Sequence, residues 1–355
     1  MSIMDKLKKN SKLKHTEVLS DSKFFTSKDM IPTDVPMMNV ALSGQLDGGL
    51  APGLTTLAGK SKHFKTSFAL KMAAAYLRKY PEAVMLFYDS EFGSPQDYFK
   101  SFGVPTDRVL HTPIKNVEEL KFDLVGQLEN LDRDDRVCVV IDSIGNLASK
   151  KEVEDALSEK SVADMTRAKQ LKSLFRMVTP YLMMNNIPMI AVNHTYDTQE
   201  MFSKAVVSGG TGVMYSSDNV WIIGRRQNKT GQEITGYDFV INVEKSRYVK
   251  EKAKIPITVS YDAGIAKYSG LFDLGIALGY IVKSGARYQL VDLETGELGE
   301  KKIWGKDIPD SFYAELIENE KFKEQVKAEY MIGYKSTLSE DFLDDIPVQE
   351  EVDNV

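Results

Sequence analysis

The sequence has one cysteine, four histidines and no long hydrophobic run, and each shortage argues against a class of protein. A single cysteine, Cys138, rules out an intramolecular disulfide, and the apolar residues around it, 137–141, predict a buried, inert thiol. The histidines at positions 15, 63, 111 and 194 lack the spacing of zinc ligands, so we do not expect a zinc site. The basic N-terminus has no apolar signal segment, and no stretch of eighteen residues is apolar throughout. We therefore expect a soluble cytoplasmic protein with no membrane partner.

Charge is distributed unevenly along the 355 residues. The net charge is −6, but residues 339–355 hold seven acidic residues and no lysine or arginine, which leaves 45 basic and 44 acidic residues elsewhere. A nearly neutral body of this kind has room for basic patches that bind a polyanion. We expect the acidic tail to be disordered, and to act either as a solubilising segment or as a competitor for the body's own basic surface.

Apolar strand-like runs alternate with helical runs between about residues 35 and 270. Strands are predicted at 54–59, 84–89, 136–142, 187–193, 219–224, 237–244 and 255–261, and helices near 65–79, 95–102, 117–131 and 163–184. Continuous apolar strands separated by helices are typical of an α/β fold with a mostly parallel sheet and helices on both faces. The last strands lack intervening helices, so we expect them to be antiparallel, at one side of the sheet.

The same patterns divide the chain into an N-terminal arm (1–30), a core (31–270), a small C-terminal α+β domain (271–338) and the acidic tail (339–355). The arm contains two adjacent phenylalanines, Phe24 and Phe25, in a polar segment. Such an apolar pair needs a partner surface, either its own core or a neighbouring subunit. We assign the arm to subunit assembly.

A candidate phosphate-binding loop lies between the first predicted strand and helix. Its residues are Gly59, Lys60, Ser61, Lys62, His63, Phe64, Lys65, Thr66 and Ser67. Backbone N–H groups of such a loop surround phosphates, Lys65 would reach the β and γ oxygens, and the Thr66 hydroxyl would ligate Mg²⁺. Phe64 stands where the usual pattern has glycine, so either φ is negative there or the motif is false and the segment is a lysine-rich surface turn.

Polar side chains follow the strands of the predicted sheet at their carboxyl ends, where ligands of such sheets bind. The strand ends carry Asp89 and Glu91, then Asp142, then Asn193 and His194. Asp142 after four apolar residues is a Walker B arrangement, in which a carboxylate orders Mg²⁺ through water. Either Asp89 or Glu91 could act on the water that attacks the γ-phosphate, and the residues alone do not decide between them.

The ordered series GKSKHFKTS, FYDSEFG, VVIDSIGNLASK, AVNHT and VSGGTG resembles the RecA family of DNA recombinases. Within that family the chain most resembles the recombinases of T-even phages, over nearly its whole length. The resemblance implies a RecA-like P-loop ATPase core that uses ATP and Mg²⁺, with Glu91 rather than Asp89 as the catalytic glutamate. It also implies that Tyr98 stacks on adenine and that Lys245 and Arg247 reach the γ-phosphate of a neighbouring subunit. The resemblance also implies that His194 senses the γ-phosphate and passes its presence to the second DNA loop, although bacterial RecA has glutamine at this position.

Two segments are expected to contact DNA. In the first, at about 149–170, the resemblance is poor in detail, and we expect Arg167 and the nearby Lys172 to contact phosphates. The second, at 195–212, is a long loop in a compact domain. Its Ser208, Gly209 and Gly210 match a phosphate-holding segment of the family, while Lys204 adds charge and Phe202 a surface for stacking.

The resemblance therefore implies a DNA-dependent ATPase that forms a helical filament on single-stranded DNA and exchanges strands with a homologous duplex. Such a protein would serve DNA recombination, repair and recombination-dependent replication, in the host cytoplasm if phage-encoded. Its expected partners are both forms of DNA, further copies of itself, a recombination mediator and a single-strand-binding protein. The alternatives are a hexameric helicase of the same fold and a non-hydrolysing mediator, for which Phe64 is the only support.

Overall fold

The structure is a computed structural model that describes residues 2–13, 15–22, 29–158, 165–198, 205–230 and 233–333. The acidic tail and the Phe24 and Phe25 pair lie outside these residues.

One large sheet forms the centre of the described part of the chain. Its strands are β1 (Gly53–Gly59), β2 (Val84–Asp89), β3 (Val109–Pro113), β4 (Val137–Asp142), β5 (Pro188–Asp197), β6 (Ala205–Val207), β7 (Asn219–Thr230), β8 (Glu233–Ser246), β9 (Lys254–Ser260) and β10 (Gly264–Ile265). They lie in the order β10-β9-β8-β7-β1-β5-β4-β2-β3, with β6 paired to the end of β5. The strands from β7 to β3 in this order are parallel, whereas β8, β9 and β10 are antiparallel.

Helices cover both faces of the sheet. Along the chain they are α1 (Ile3–Asn10), α2 (Pro36–Ser43), α3 (Lys65–Lys79), α4 (Gln96–Ser101), α5 (Val117–Glu129), α6 (Lys150–Leu157), α7 (Thr166–Met184), α8 (Thr211–Ser216), α9 (Leu271–Ala277), α10 (Asp310–Glu318) and α11 (Glu320–Tyr330). Three short 3₁₀ turns lie at Leu19–Asp21, Thr106–Arg108 and Gly305–Asp307. Among the described residues, no helix is both long and apolar enough to span a membrane.

The two faces are produced by the alternation of side chains along buried strands. On β4, Cys138 and Val140 join the hydrophobic cluster under α2 and α3, whereas Val139 and Ile141 join the cluster under α5 and α7. Cys138 is therefore buried, as predicted, and burial raises the pKa of its thiol to about 12.

The α/β fold with a mostly parallel sheet and antiparallel strands at one side is confirmed. Several elements of the core were missed, among them α2, β3 and the short α6, α8, β6 and β10. Helix α2 is buried on all sides and so shows no amphipathic period. Strand β3 is a largely exposed edge strand and so shows no apolar run. In addition, β7 and β8 extend beyond their predicted ends as a long, partly polar hairpin.

The residues after the core form a helix, a hairpin and two further helices. Strands β11 (Ile281–Ser284) and β12 (Arg287–Leu290) make a separate two-stranded sheet. Leu316 and Phe322 of the last two helices are fully buried and belong to the same hydrophobic cluster as α2. The boundary at residue 270 stays a prediction.

Candidate nucleotide-binding site

The carboxyl ends of the parallel strands bring the predicted site residues to one edge of the sheet. The register pairs Gly59 with His194 and Asp89 with Asp142. A cavity of about 690 Å³ opens there, lined by the loop residues Ser61–Ser67 together with Glu91, Tyr98 and His194. The sheet thus places the loop, Glu91 and the aromatic side chain of Tyr98 around one space, with Asp142 beside it as the hydrogen-bond partner of Thr66.

Phe64 adopts the conformation that its position normally reserves for glycine. Its φ is +61°, and it directly precedes the first residue of α3. The expectation that φ must be negative for the motif to hold was wrong. The ring stacks on Phe239 at 5.1 Å between centroids and meets Phe68 and Phe102 edge-on. These contacts, with aromatic pairs contributing about 0.5–1.5 kcal/mol each, offset the strain of a left-handed phenylalanine.

Lys65 is buried at the start of α3, and its Nζ donates a hydrogen bond of 2.9 Å to the carbonyl of Lys60. Burial lowers the pKa of Lys65, and nearby Glu91 and Asp142 oppose that shift. The side chain of Lys60 forms an ion pair with Asp197 on β5, with 2.6 Å between Nζ and Oδ2. The phosphate loop is therefore tied to the strand that leads into the second predicted DNA segment.

Asp142 and Thr66 lie together where a magnesium ion was predicted. The Thr66 hydroxyl donates to Asp142 Oδ2 at 2.8 Å, while Oδ1 is buried and has no hydrogen-bond partner among the described residues. Burial raises the pKa of Asp142 to about 6. A buried carboxylate oxygen without a donor, beside a threonine hydroxyl, fits the hard-oxygen chemistry that Mg²⁺ prefers.

Glu91 and Asp89 have different surroundings, and these distinguish the two acids. Asp89 is buried and its Oδ1 accepts hydrogen bonds from the backbone N–H groups of Glu91 and Phe92. Glu91 lines the cavity, and its Oε1 accepts from Ser143, Asn146 and His194. The distances are 2.7 Å, 3.1 Å and 3.1 Å. The hydrogen bond to His194 lowers the pKa of Glu91 most. Glu91 is thus the acid presented to the cavity, and Asp89 supports it.

His194 connects the site to the second predicted DNA segment. Its ring contacts Glu91, and its carbonyl accepts a 2.9 Å hydrogen bond from the backbone N–H of Ser208. The Asn193 amide donates to the Ser208 carbonyl at 2.8 Å. Ser208 is therefore held against both strand-end residues.

Strands β7 and β8 and the end of β9 supply cavity residues that the sequence reading missed, among them Arg225, Tyr237 and Tyr261. The Arg225 guanidinium lies 4.6 Å from the centre of the Tyr237 ring, and it donates to the carbonyl of Lys62 in the loop. Tyr98 lies across the cavity and shares a hydrogen bond with Ser67. The aromatic residues at 237 and 239 could have indicated this side of the cavity from the sequence, since side chains two residues apart lie on one face of a strand.

Lys245 and Arg247 do not line this cavity. The Lys245 Nζ donates to the carbonyls of Met214, Tyr215 and Ser217 at the end of α8. Arg247 forms an ion pair with the buried Asp218, with 2.7 Å between Nε and Oδ1. Within one chain, both cations are held by other groups of their own subunit.

The predicted DNA-binding residues differ in how they are placed. Arg167 is half-buried and donates to the carbonyls of Ile144, Gly145 and Leu147, so its guanidinium braces the loop after β4. This contact disagrees with its predicted availability for phosphate, because the carbonyls already use most of its donors. Lys172 is exposed on α7. Phe202 and Lys204 lie outside the described residues.

Gly209 and Gly210 form the turn that leads into α8. Their φ values are +91° and +75°, a region that favours glycine. Gly210 caps α8 with ψ of −173°, a combination that other residues rarely adopt. The backbone N–H groups of this turn lie at the N-terminus of α8, which is a short helix of six residues.

Two family profiles together span most of the chain. The RecA N-terminal domain matches residues 7–266, and the C-terminal domain of the bacteriophage T4 recombination and repair protein matches residues 268–326. The recombination and repair protein of Enterobacteria phage T4 is 53% identical over 337 residues, covering 93% of this chain and 86% of that protein. The RecA proteins of Acidothermus cellulolyticus and Streptomyces rimosus are 27% and 28% identical, over 77% and 79% of this chain and 77% and 74% of their own lengths.

These matches agree with the ordered strand-end residues and with the confirmed sheet topology. The chain belongs to the RecA family.

Proposed function

We propose that the chain is an ATP-dependent DNA recombinase, which hydrolyses ATP when bound to single-stranded DNA as a helical filament and exchanges that strand with a homologous duplex. Lys65, Thr66 and Glu91 line one cavity, and Asp142 joins them through its hydrogen bond with Thr66; this arrangement carries the proposal. Membership of the RecA family supports it.

Nucleotide binding is assigned to the loop and to the residues around it. Lys65 would exchange its hydrogen bond with the Lys60 carbonyl for phosphate oxygens, and the loop N–H groups would surround the β-phosphate. Tyr98 would stack on the base. Thr66 would hold Mg²⁺ directly and Asp142 would hold it through water; the ion supplies positive charge that offsets the charge of the phosphates.

Hydrolysis is assigned to Glu91. Among the described residues, the hydrogen bonds that hold its carboxylate reach Oε1, so Oε2 would be the oxygen that orients the attacking water and accepts its proton. The lowered pKa keeps the carboxylate ionised at neutral pH, as a proton acceptor requires. His194 would bind the γ-phosphate and report its presence through Ser208 to the second DNA segment.

The site is completed by a second subunit in this proposal. Lys245 and Arg247 would reach the γ-phosphate of a neighbour, so that hydrolysis depends on assembly. The arm of residues 1–30 would join subunits, and the segments around Lys172 and Ser208–Gly210 would track DNA phosphates. A recombination mediator and a single-strand-binding protein are the further partners. The non-hydrolysing mediator loses its only support, since Phe64 fits the loop.

Purified protein with ATP and Mg²⁺ tests the proposal. We expect hydrolysis to rise on addition of single-stranded DNA, and strand exchange to require a homologous duplex. Electron microscopy should show open helical filaments. Closed rings that unwind duplex without exchange would instead support a helicase, and absence of DNA-stimulated hydrolysis would refute the proposed activity.

A further inference from the structure

The carboxylate of Asp89 joins the edge strand β3 to the loop that carries Glu91. Asp89 ends β2 and only 5% of its surface is exposed. Its Oδ1 accepts the N–H groups of Glu91 at 2.9 Å and Phe92 at 2.8 Å, and its Oδ2 contacts His111 Nε2 at 3.1 Å. Both oxygens are therefore used, and His111 is the side chain that binds the second one.

The turn after Asp89 is one that its own sequence does not favour. Phe92 has a φ of +55°, although an aromatic residue rarely adopts the left-handed region, and 64% of its side chain and backbone surface is exposed. Packing contributes little at such an exposed position. The two N–H bonds to Asp89 therefore hold the Glu91–Phe92 end of the turn, while the Ser90 N–H at its start is bound to the Asp142 carbonyl at 2.8 Å. The conformation of this turn determines the position of the Glu91 Cα atom, and so the position from which its side chain extends.

His111 is oriented to act on this carboxylate. It lies on β3, its ring stacks on Phe87 at 5.7 Å between centroids, and about half of its side chain is exposed. Because an ionised carboxylate only accepts hydrogen bonds, His111 must carry a hydrogen on Nε2. Its bond satisfies a buried charge and limits rotation of the carboxylate, which keeps Oδ1 directed at the two N–H groups.

We propose that His111 is a positioning residue for ATP hydrolysis, which acts through Asp89 to hold the turn that places Glu91 beside the γ-phosphate. The inference rests on the proposed function, because it assigns Glu91 the water-activating role. His111 does not line the nucleotide cavity, so it would touch neither nucleotide nor metal. A cavity of about 330 Å³ beside its ring, lined in part by Phe99 and Thr106, leaves room to replace the side chain.

Two substitutions separate the hydrogen bond from the ring. His111→Phe keeps an aromatic ring on Phe87 but removes the donor, whereas His111→Gln places an amide N–H near the position of Nε2. We expect His111→Phe to lower kcat for DNA-stimulated ATP hydrolysis by about tenfold while KM for ATP changes by less than about twofold, because the geometry of the turn and not the binding loop is altered. His111→Gln should restore kcat to within about threefold of the wild type. Thr106→Val, which lines the same cavity without contacting Asp89, should leave both constants unchanged.

The stability of the turn can also be measured without measuring ATP hydrolysis. Hydrogen exchange at the amides of Glu91 and Phe92 should be faster in His111→Phe than in the wild type and should return toward the wild-type rate in His111→Gln. Unchanged exchange at these amides in His111→Phe would overturn the inference, even if the wild type proved unable to hydrolyse ATP. Equal losses of kcat in both variants, wild-type kcat in His111→Phe, or a change confined to KM would also overturn it.

Discussion

Two sets of charged side chains are assigned to the ATP site, and the fold places them in different positions. Lys65 and Glu91 line one cavity, and Asp142 lies beside it, hydrogen-bonded to Thr66 through Oδ2 and with a buried Oδ1 that has no hydrogen-bond partner among the described residues. Lys245 and Arg247 lie away from that cavity and bind groups of their own chain. The first set is assembled by folding alone. In the proposed function, the second set would act on phosphate only at the surface of a neighbouring subunit.

The difference follows from strand direction. Parallel strands bring successive carboxyl ends to the same edge, so the loop, Glu91 and Asp142 meet without any further contact. Lys245 lies near the end of β8, which is antiparallel to β7. The end of β8 therefore lies beside the start of β7, at the opposite edge of the sheet from the carboxyl ends of the parallel strands. In the proposed function, a residue there would serve the ATP site of a neighbour and not its own.

The largest expected effect is from Lys65→Ala, which removes the cation of the first set. ATP hydrolysis should fall by at least about 100-fold, because the charge and hydrogen bonds on the transferred phosphoryl group are lost. The melting temperature should stay near that of the wild type, since α3 retains its apolar face. DNA-stimulated phosphate release measures the first result and circular dichroism the second.

Lys71→Ala is the matched control for that experiment. Lys71 lies on the same helix but forms a surface ion pair with Asp34 at 2.8 Å. Hydrolysis should be unchanged, with a cost in stability of at most about 1 kcal/mol. Wild-type turnover in Lys65→Ala, or equal losses in the two variants, would contradict the assignment of the loop.

A smaller effect tests whether the second set acts between subunits. Glu91→Gln and Arg247→Ala should each be nearly inactive in DNA-stimulated hydrolysis. An equal mixture should recover about a quarter of the wild-type rate, because a Glu91→Gln subunit contributes its intact Arg247 to the site of an Arg247→Ala neighbour at about one interface in four. Phosphate release on single-stranded DNA, measured across mixing ratios, follows this recovery.

Arg247→Lys controls for the structural role of the arginine, since lysine can keep the ion pair with Asp218. If it restores thermal stability without restoring hydrolysis, the guanidinium acts on the nucleotide. A mixture with no more activity than its components would place Arg247 outside the neighbouring site.

The parts that the sequence predicted well are those with a local signal. Apolar runs ended by Asp89 or Asp142 gave both the parallel strands and the acidic edge. Phe64 was misjudged because its stabilising partner, Phe239, lies on a distant strand that no local pattern connects to the loop. His111 was noted only as a histidine without zinc spacing. Its role depends on β3 pairing beside β2, and the exposed β3 has no apolar run to reveal it.

The smallest effect concerns the ionised state of Asp142 in the protein without nucleotide or metal. Burial raises the pKa of this carboxyl from 3.8 to about 6, so the folded chain binds the proton more tightly than the unfolded chain does. Wild-type stability should therefore fall as pH rises from about 4 to about 6, by about 2–3 kcal/mol at most, and stay reduced above that. Asp142→Asn has no charge to desolvate, so in EDTA it should be more stable than the wild type at about pH 8 and similar to it at about pH 4. Urea denaturation at both values measures the difference. An equal gain at both would show that packing rather than ionisation is responsible, and would remove the argument that the unpartnered oxygen is held ready for a cation.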